Sequence, residues 1–165
     1  MSKKKSESQA FIYFMFFLGV IISGCGFSES LNESDVVMDN FFKDRIENKH
    51  SGSERFYAES FLEKVDKKEW ARIKTLVEKA NGTLLFYEKT SWNINKRSNT
   101  NPDESGTFIA YTYKTTYDNG AGTETITVLK NQNNPSFRII SHNFNSEMIQ
   151  DVINQGIDQV TKEDS

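Results

Sequence analysis

TFIAYTYKTTY (residues 107–117), DNGAG (118–122) and TETITVLK (123–130) together decide the fold. In the first run Ile109, Tyr111, Tyr113 and Tyr117 fall on odd positions and therefore share one face of an extended strand. Asp118-Asn119-Gly120-Ala121-Gly122 is a hairpin turn, because Asn and Gly accept the positive φ that tight primed turns require. In the third run Ile126 and Val128 alternate with Thr125 and Thr127. Two antiparallel strands are thus specified by period and turn chemistry alone.

Outward from this hairpin the same period continues. Residues 83–90 alternate, with Leu84, Phe86, Glu88 and Thr90 opposing Thr83, Leu85, Tyr87 and Lys89, and Trp92 belongs to the same strand. The polar run NKRSNTNPDESG (95–106) reads as a loop. A turn at 131–135 precedes FRIISHNF (137–144), a fourth strand. Before Gly82 the period is 3.6. Ser34 and Asp35 are candidate N-caps of a helix carrying Val36, Val37, Phe41, Phe42, Arg45 and Ile46, which ends near His50-Ser51-Gly52. A second helix carries Phe56, Tyr57, Phe61, Leu62 and Val65. A third carries Trp70, Ile73, Leu76 and Val77 and stops at Asn81-Gly82. After the sheet, residues 146–160 return to a helical stripe of Met148, Ile149, Val152, Ile153, Ile157 and Val160. That helix either closes over the sheet or serves as an arm for a partner. The class is α+β: N-terminal helices on a curved four-stranded antiparallel sheet, with a C-terminal helix.

The chain's start carries an address. Lys3, Lys4 and Lys5 precede the apolar run 11–20, and Ile22-Ser23-Gly24 lead into Cys25, the single cysteine. A basic head, an apolar core and small residues make a secretory signal. Ala10 to Gly24 supply about 15 apolar or small positions, short of the roughly 20 of a spanning helix. Ile22-Ser23-Gly24-Cys25 resembles the bacterial lipoprotein box. The resemblance implies lipidation of Cys25, cleavage before it and anchoring in the cell envelope. Gly26, in place of an Asp, implies the periplasmic side of the outer membrane if the cell is Gram-negative. The expected organisation is a signal at 1–24, a polar tether at 25–34 and one domain at 35–165. Cleavage removes three lysines and one glutamate, leaving 17 basic against 22 acidic side chains, about −5. An acidic surface lacks the electrostatic footprint of a nucleic-acid binder. With Cys25 modified, no thiol is left for a disulfide or a nucleophile.

A second resemblance rests on Glu69-Trp70, Asn81-Gly82, Ala110-Tyr111-Thr112-Tyr113, Thr116-Tyr117-Asp118-Asn119-Gly120 and Glu124-Thr125-Ile126-Thr127-Val128. Residues 56–144 resemble bacterial lipoproteins of unknown function with a cystatin-like, nuclear-transport-factor-2-like domain. That resemblance implies a bent sheet wrapping a helix, with a pocket at the mouth of the cone.

Candidate chemistry is sparse. His50 sits at a helix end, where an imidazole favours the negative end of the dipole. His142 shares a strand face with Arg138, Ile140 and Phe144, and a dyad with Glu147 or Asp151 is its route to chemistry. The sequence has no His pair at i, i+4, cysteine cluster, calcium loop or glycine-rich phosphate loop, so no metal or cofactor is expected. Asn101-Pro102-Asp103-Glu104 is a solvated loop tip. The aromatic face of Tyr87, Trp92, Tyr111, Tyr113 and Tyr117, with His142, is either the packing side of the sheet or a binding face. Thr112, Thr115, Thr116, Thr123, Thr125 and Thr127 are expected on the opposite, exposed face. Two functions fit. One is a non-catalytic envelope lipoprotein that binds an envelope protein, as an immunity protein or an accessory subunit. The other is a cone pocket that binds a small ligand, with weak catalysis around His142.

Overall fold

Residues 26–47, 53–147 and 149 are described by the computed structural model. The expected signal at 1–24, Cys25, His50, and Met148 with residues 150–160 of the expected C-terminal helix lie outside the described residues. Strands β1 (Leu84–Arg97), β2 (Gly106–Tyr117), β3 (Gly120–Lys130) and β4 (Arg138–Ser146) form an antiparallel sheet in the order β1-β2-β3-β4. Before them come helix α1 (26–47), a 3-10 turn (Ser53–Phe56), α2 (Glu59–Lys64) and α3 (Lys67–Asn81). The class is α+β, with a helix-rich N-terminal region and a curved open sheet.

α1 buries Ser34, Met38, Phe41, Phe42 and Arg45, a stripe at helical spacing. The expected tether at 26–34 is helical instead. Ser34 is no cap: it lies inside α1, its hydroxyl hydrogen-bonded to the Tyr111 hydroxyl and standing 2.9 Å from the Leu31 carbonyl. Leu31 and Ser34 simply extend the stripe, and packing on the sheet outweighs the modest helix propensity of the polar residues around them.

The expected second helix is split. Tyr57 forms a parallel bridge with Ile139, and the Ala58 N–H donates to the Ile139 carbonyl at 2.9 Å, so the chain is extended at Ala58 (ψ 147°) before α2 begins. α3 ends as expected, at Gly82 with φ +77°.

In β2 the alternation holds, with Ile109, Tyr111, Tyr113 and Tyr117 buried. Thr115 shares their parity and is buried too, not exposed. β1 breaks the simple alternation: register shifts between Leu84 and Phe86, and between Lys89 and Ser91, each insert a residue. Leu84, Tyr87 and Trp92 consequently oppose Tyr117, Thr115 and Tyr111, while Leu85 and Phe86 are exposed. The strand also runs to Arg97, three residues into the expected loop. A third shift, between Thr127 and Val128, makes Ile140 the extra residue of β4 and places His142 with Ile139 and Phe144. The core between α1 and the sheet is aromatic: Phe41 meets Phe42, Phe56 and Tyr57 edge-on at 5.2–6.0 Å. Each such fully buried ring contributes about 1.5–3 kcal/mol relative to exposure.

Candidate functional site

Arg45 lies on the buried stripe of α1, and Glu124 lies on the inward parity of β3 beside Ile126 and Val128. Their side chains are 2% and 1% exposed. Arg45 donates from Nη1 to Glu124 Oε2 at 2.6 Å and from Nη2 to Oε1 at 3.1 Å, a bidentate pair. His142 Nε2 sits 2.7 Å from Oε2, and the Tyr117 hydroxyl donates to Oε1. Tyr57 closes the chain at 2.7 Å from His142 Nδ1.

Burial pushes the His142 imidazole below its ordinary value, and Arg45 adds to that, while Glu124 pulls the other way. A neutral ring beside a carboxylate must carry its proton on Nε2, leaving Nδ1 to accept the Tyr57 hydroxyl proton. Burial alone would raise Glu124, yet Arg45 and His142 together hold it well below the carboxylate range. The Arg45 guanidinium stays charged, raised chiefly by Glu124 against its own burial, and it lies over Phe41 and Phe42 at 5.2 and 5.4 Å. Burial likewise raises the Tyr57 and Tyr117 hydroxyls. The result is one cation, one anion and a neutral imidazole. Four donors meet the carboxylate's roughly four acceptor positions. Such a network fixes where α1 sits on the sheet; its polar atoms are spent on one another.

Of the six residues of the expected binding face, Tyr111, Tyr113, Tyr117 and His142 are buried beneath α1. Tyr111 donates to Asp35 at 2.9 Å, and Tyr87 stacks on Phe42 at 4.4 Å. The Tyr87 hydroxyl donates to Asp39 at 3.1 Å and is pushed up to about 12 by burial and that carboxylate. Only Trp92, 48% exposed, faces solvent broadly. The face is therefore the packing side of the sheet, because α1 reaches further toward residue 26 than its sequence suggested. His142 pairs with Glu124, not Glu147, which is exposed; Asp151 lies outside the described residues. Glu124 was the missed residue. Its signal was a lone carboxylate on the parity of Ile126 and Val128. Among the described residues no group of three His, Cys, Asp or Glu side chains could hold a metal, and no helix is long and apolar enough to cross a membrane. Glu104 accepts from Asn99 and Asn101 at 2.6 and 3.2 Å, so the loop tip is closed on itself.

The surface offers two apolar features. Leu85, Phe86 and Trp92 project from β1 at 53%, 60% and 48% exposure. At the opposite edge of the sheet a groove of about 390 Å³ runs between β4 and the α2–α3 pair. No family model, curated protein or solved structure matches this chain.

Proposed function

We propose that this chain is an envelope lipoprotein, anchored through lipid on Cys25, whose domain is a non-catalytic protein-binding module of the immunity or accessory-subunit kind. The observation that carries the reading is the filled interior. The space between α1 and the sheet is occupied by rings and by the Arg45–Glu124–His142 network, so interaction chemistry is left to the surface, where Leu85, Phe86 and Trp92 stand exposed. Large apolar and aromatic groups at a surface are the usual anchors of protein interfaces.

The cystatin-like, nuclear-transport-factor-2-like cone belongs to the same proposal, supported by the curved sheet with a long helix across its inner face. A C-terminal helix starting at Ser146 is supported by the Ser146 hydroxyl, which accepts the Ile149 N–H at 3.1 Å in the manner of an N-cap. If the cell is Gram-negative, Gly26 after Cys25 favours the periplasmic side of the outer membrane. Affinity isolation of the full chain from cross-linked, detergent-solubilised envelope should recover one stoichiometric protein. Recovery of none across several growth conditions overturns the reading.

A further inference from the structure

β4 is the last strand of the sheet, and its outer edge begins to be paired by the chain itself. Tyr57 bridges Ile139 in parallel and Ala58 bonds its carbonyl; then α2 turns the chain away. Past the insertion at Ile140 the residues that share the edge-facing parity of Ile139 are His142 and Phe144, and among the described residues no strand continues the pairing along them. The groove opens where the pairing stops. Its floor includes Ile140, Ser141, His142 and Asn143, and its far wall is Phe61, Val65, Trp70 and Ile73. His142 is 7% exposed as a residue but only 1% in its side chain, so the groove meets its main chain.

Two further groups lack partners among the described residues. Trp70 is 5% exposed, and its indole N–H has no acceptor. A buried donor left so costs about 1–3 kcal/mol, which makes this wall of the groove a place where a small rearrangement is favoured. Lys64 lies at the rim, exposed and in no ion pair, and no carboxylate lines the groove.

Resting on the protein-binding reading above, we infer that this groove takes an extended segment of a partner protein, which adds to the outer edge of β4 where Tyr57 leaves it. Main-chain hydrogen bonds supply the affinity, as in other strand-addition sites. An apolar side chain enters between Val65, Trp70 and Ile73, and a carboxylate, from an acidic side chain or a chain terminus, meets Lys64. The β1 edge is less suited. Two bulges and the charges of Glu88, Lys89, Lys96 and Arg97 guard it against pairing.

The test is selection of short random peptides, displayed on phage, against the detergent-solubilised full chain. The enriched peptide is then labelled with fluorescein and titrated by anisotropy. The expected result is an alternating apolar peptide with an acidic group. Lys64→Glu and Ile73→Glu should each weaken its binding about tenfold or more, and it should slow amide exchange at His142 and Phe144. Lys64→Glu alters an exposed side chain, so its result does not hinge on folding. Failure to enrich any peptide overturns the inference, as does binding indifferent to both substitutions or protection confined to Glu88–Trp92. An affinity gain of about tenfold from Val152→Asp with Ile153→Asp also overturns it, by making the chain's own C-terminal segment the occupant. A stoichiometric envelope partner recovered alongside any of these failures leaves the binding-module reading standing and removes only the groove.

Discussion

Glu124 has both oxygens engaged by two donors each, and that is why its removal should reach beyond one contact. Arg45→Met leaves a buried carboxylate without its cation, a change worth about 3–5 kcal/mol of destabilisation. Glu124→Leu strands the guanidinium by the same logic. Combining the two removes both charges, so the double variant should be less destabilised than the sum, with a coupling of about 0.5–3 kcal/mol in urea midpoints. Additivity within about 0.5 kcal/mol would mean that the pair does not act as a unit. A pH signature follows from His142. Its folded value is depressed by burial, so below the ordinary value of about 6.5 the unfolded chain binds a proton that the folded chain refuses. Stability is full above that value and falls on acidification, with a slope approaching about 1.4 kcal/mol per pH unit until the folded value is reached. Glu124, whose folded value is lowered, adds a second loss below about pH 4.5. Urea unfolding from pH 8 to 5 should show the first slope in the native chain and lose it in His142→Gln; an unchanged slope in the variant would reject this assignment. The carboxylate was legible in the sequence as an acid on a core-facing parity. Its partner His142 was harder, because the insertion at Ile140 shifts the parity that places it.

Elements whose period is uninterrupted were the readable ones. β2, β3 from Thr123 onward and the cap at Gly82 follow from alternation and turn chemistry, and the structure keeps them, while the five-residue turn expected at 118–122 closes over Asp118 and Asn119 alone, with Gly120, Ala121 and Gly122 already paired in β3. β1 was misjudged because its two bulges mix faces, and α2 because the bond from Ala58 to Ile139 wins over a locally helical stripe. Such bonds lie far apart in sequence and leave no local trace. Gly106, which opens β2, has φ +132°, and an added Cβ would stand 2.4 Å from the Lys130 carbonyl oxygen, a backbone atom of the neighbouring strand. At Gly82 an added Cβ would meet the Asp118 Cβ at 2.9 Å. Gly106→Ala should therefore cost about 2–3 kcal/mol and Gly82→Ala about 1–2 kcal/mol, since both force an L side chain into a disfavoured region and only the first presses on backbone. Thermal unfolding of the two variants orders them; a larger loss at Gly82 would show that the β2–β3 junction yields more easily than its geometry indicates.

At the scale of the molecule, the proposed anchor and the observed helix act together. α1 is already helical at residue 26, the first described residue and the neighbour of Cys25, so a lipid there would hold the domain close to the bilayer by a rigid helix in place of a flexible leader. The end nearest the anchor carries Phe27, 44% exposed, with the Lys96 ammonium 4.8 Å from its ring. These are too few groups to bind a membrane unaided. A chain with a net charge of about −5 after cleavage is repelled by an anionic surface, whereas two or three acyl chains give stable attachment at about 0.8 kcal/mol per buried methylene. Cys25→Ser should therefore move the protein from the detergent phase to the aqueous phase on cloud-point partition and abolish sedimentation with phosphatidylglycerol vesicles. The apolar run before Cys25 is too short to span a bilayer and should not rescue it. Unchanged detergent-phase recovery of Cys25→Ser would assign the attachment to that run or to the domain's own surface, and the groove beside β4 would then have to be considered against lipid as well as against a strand.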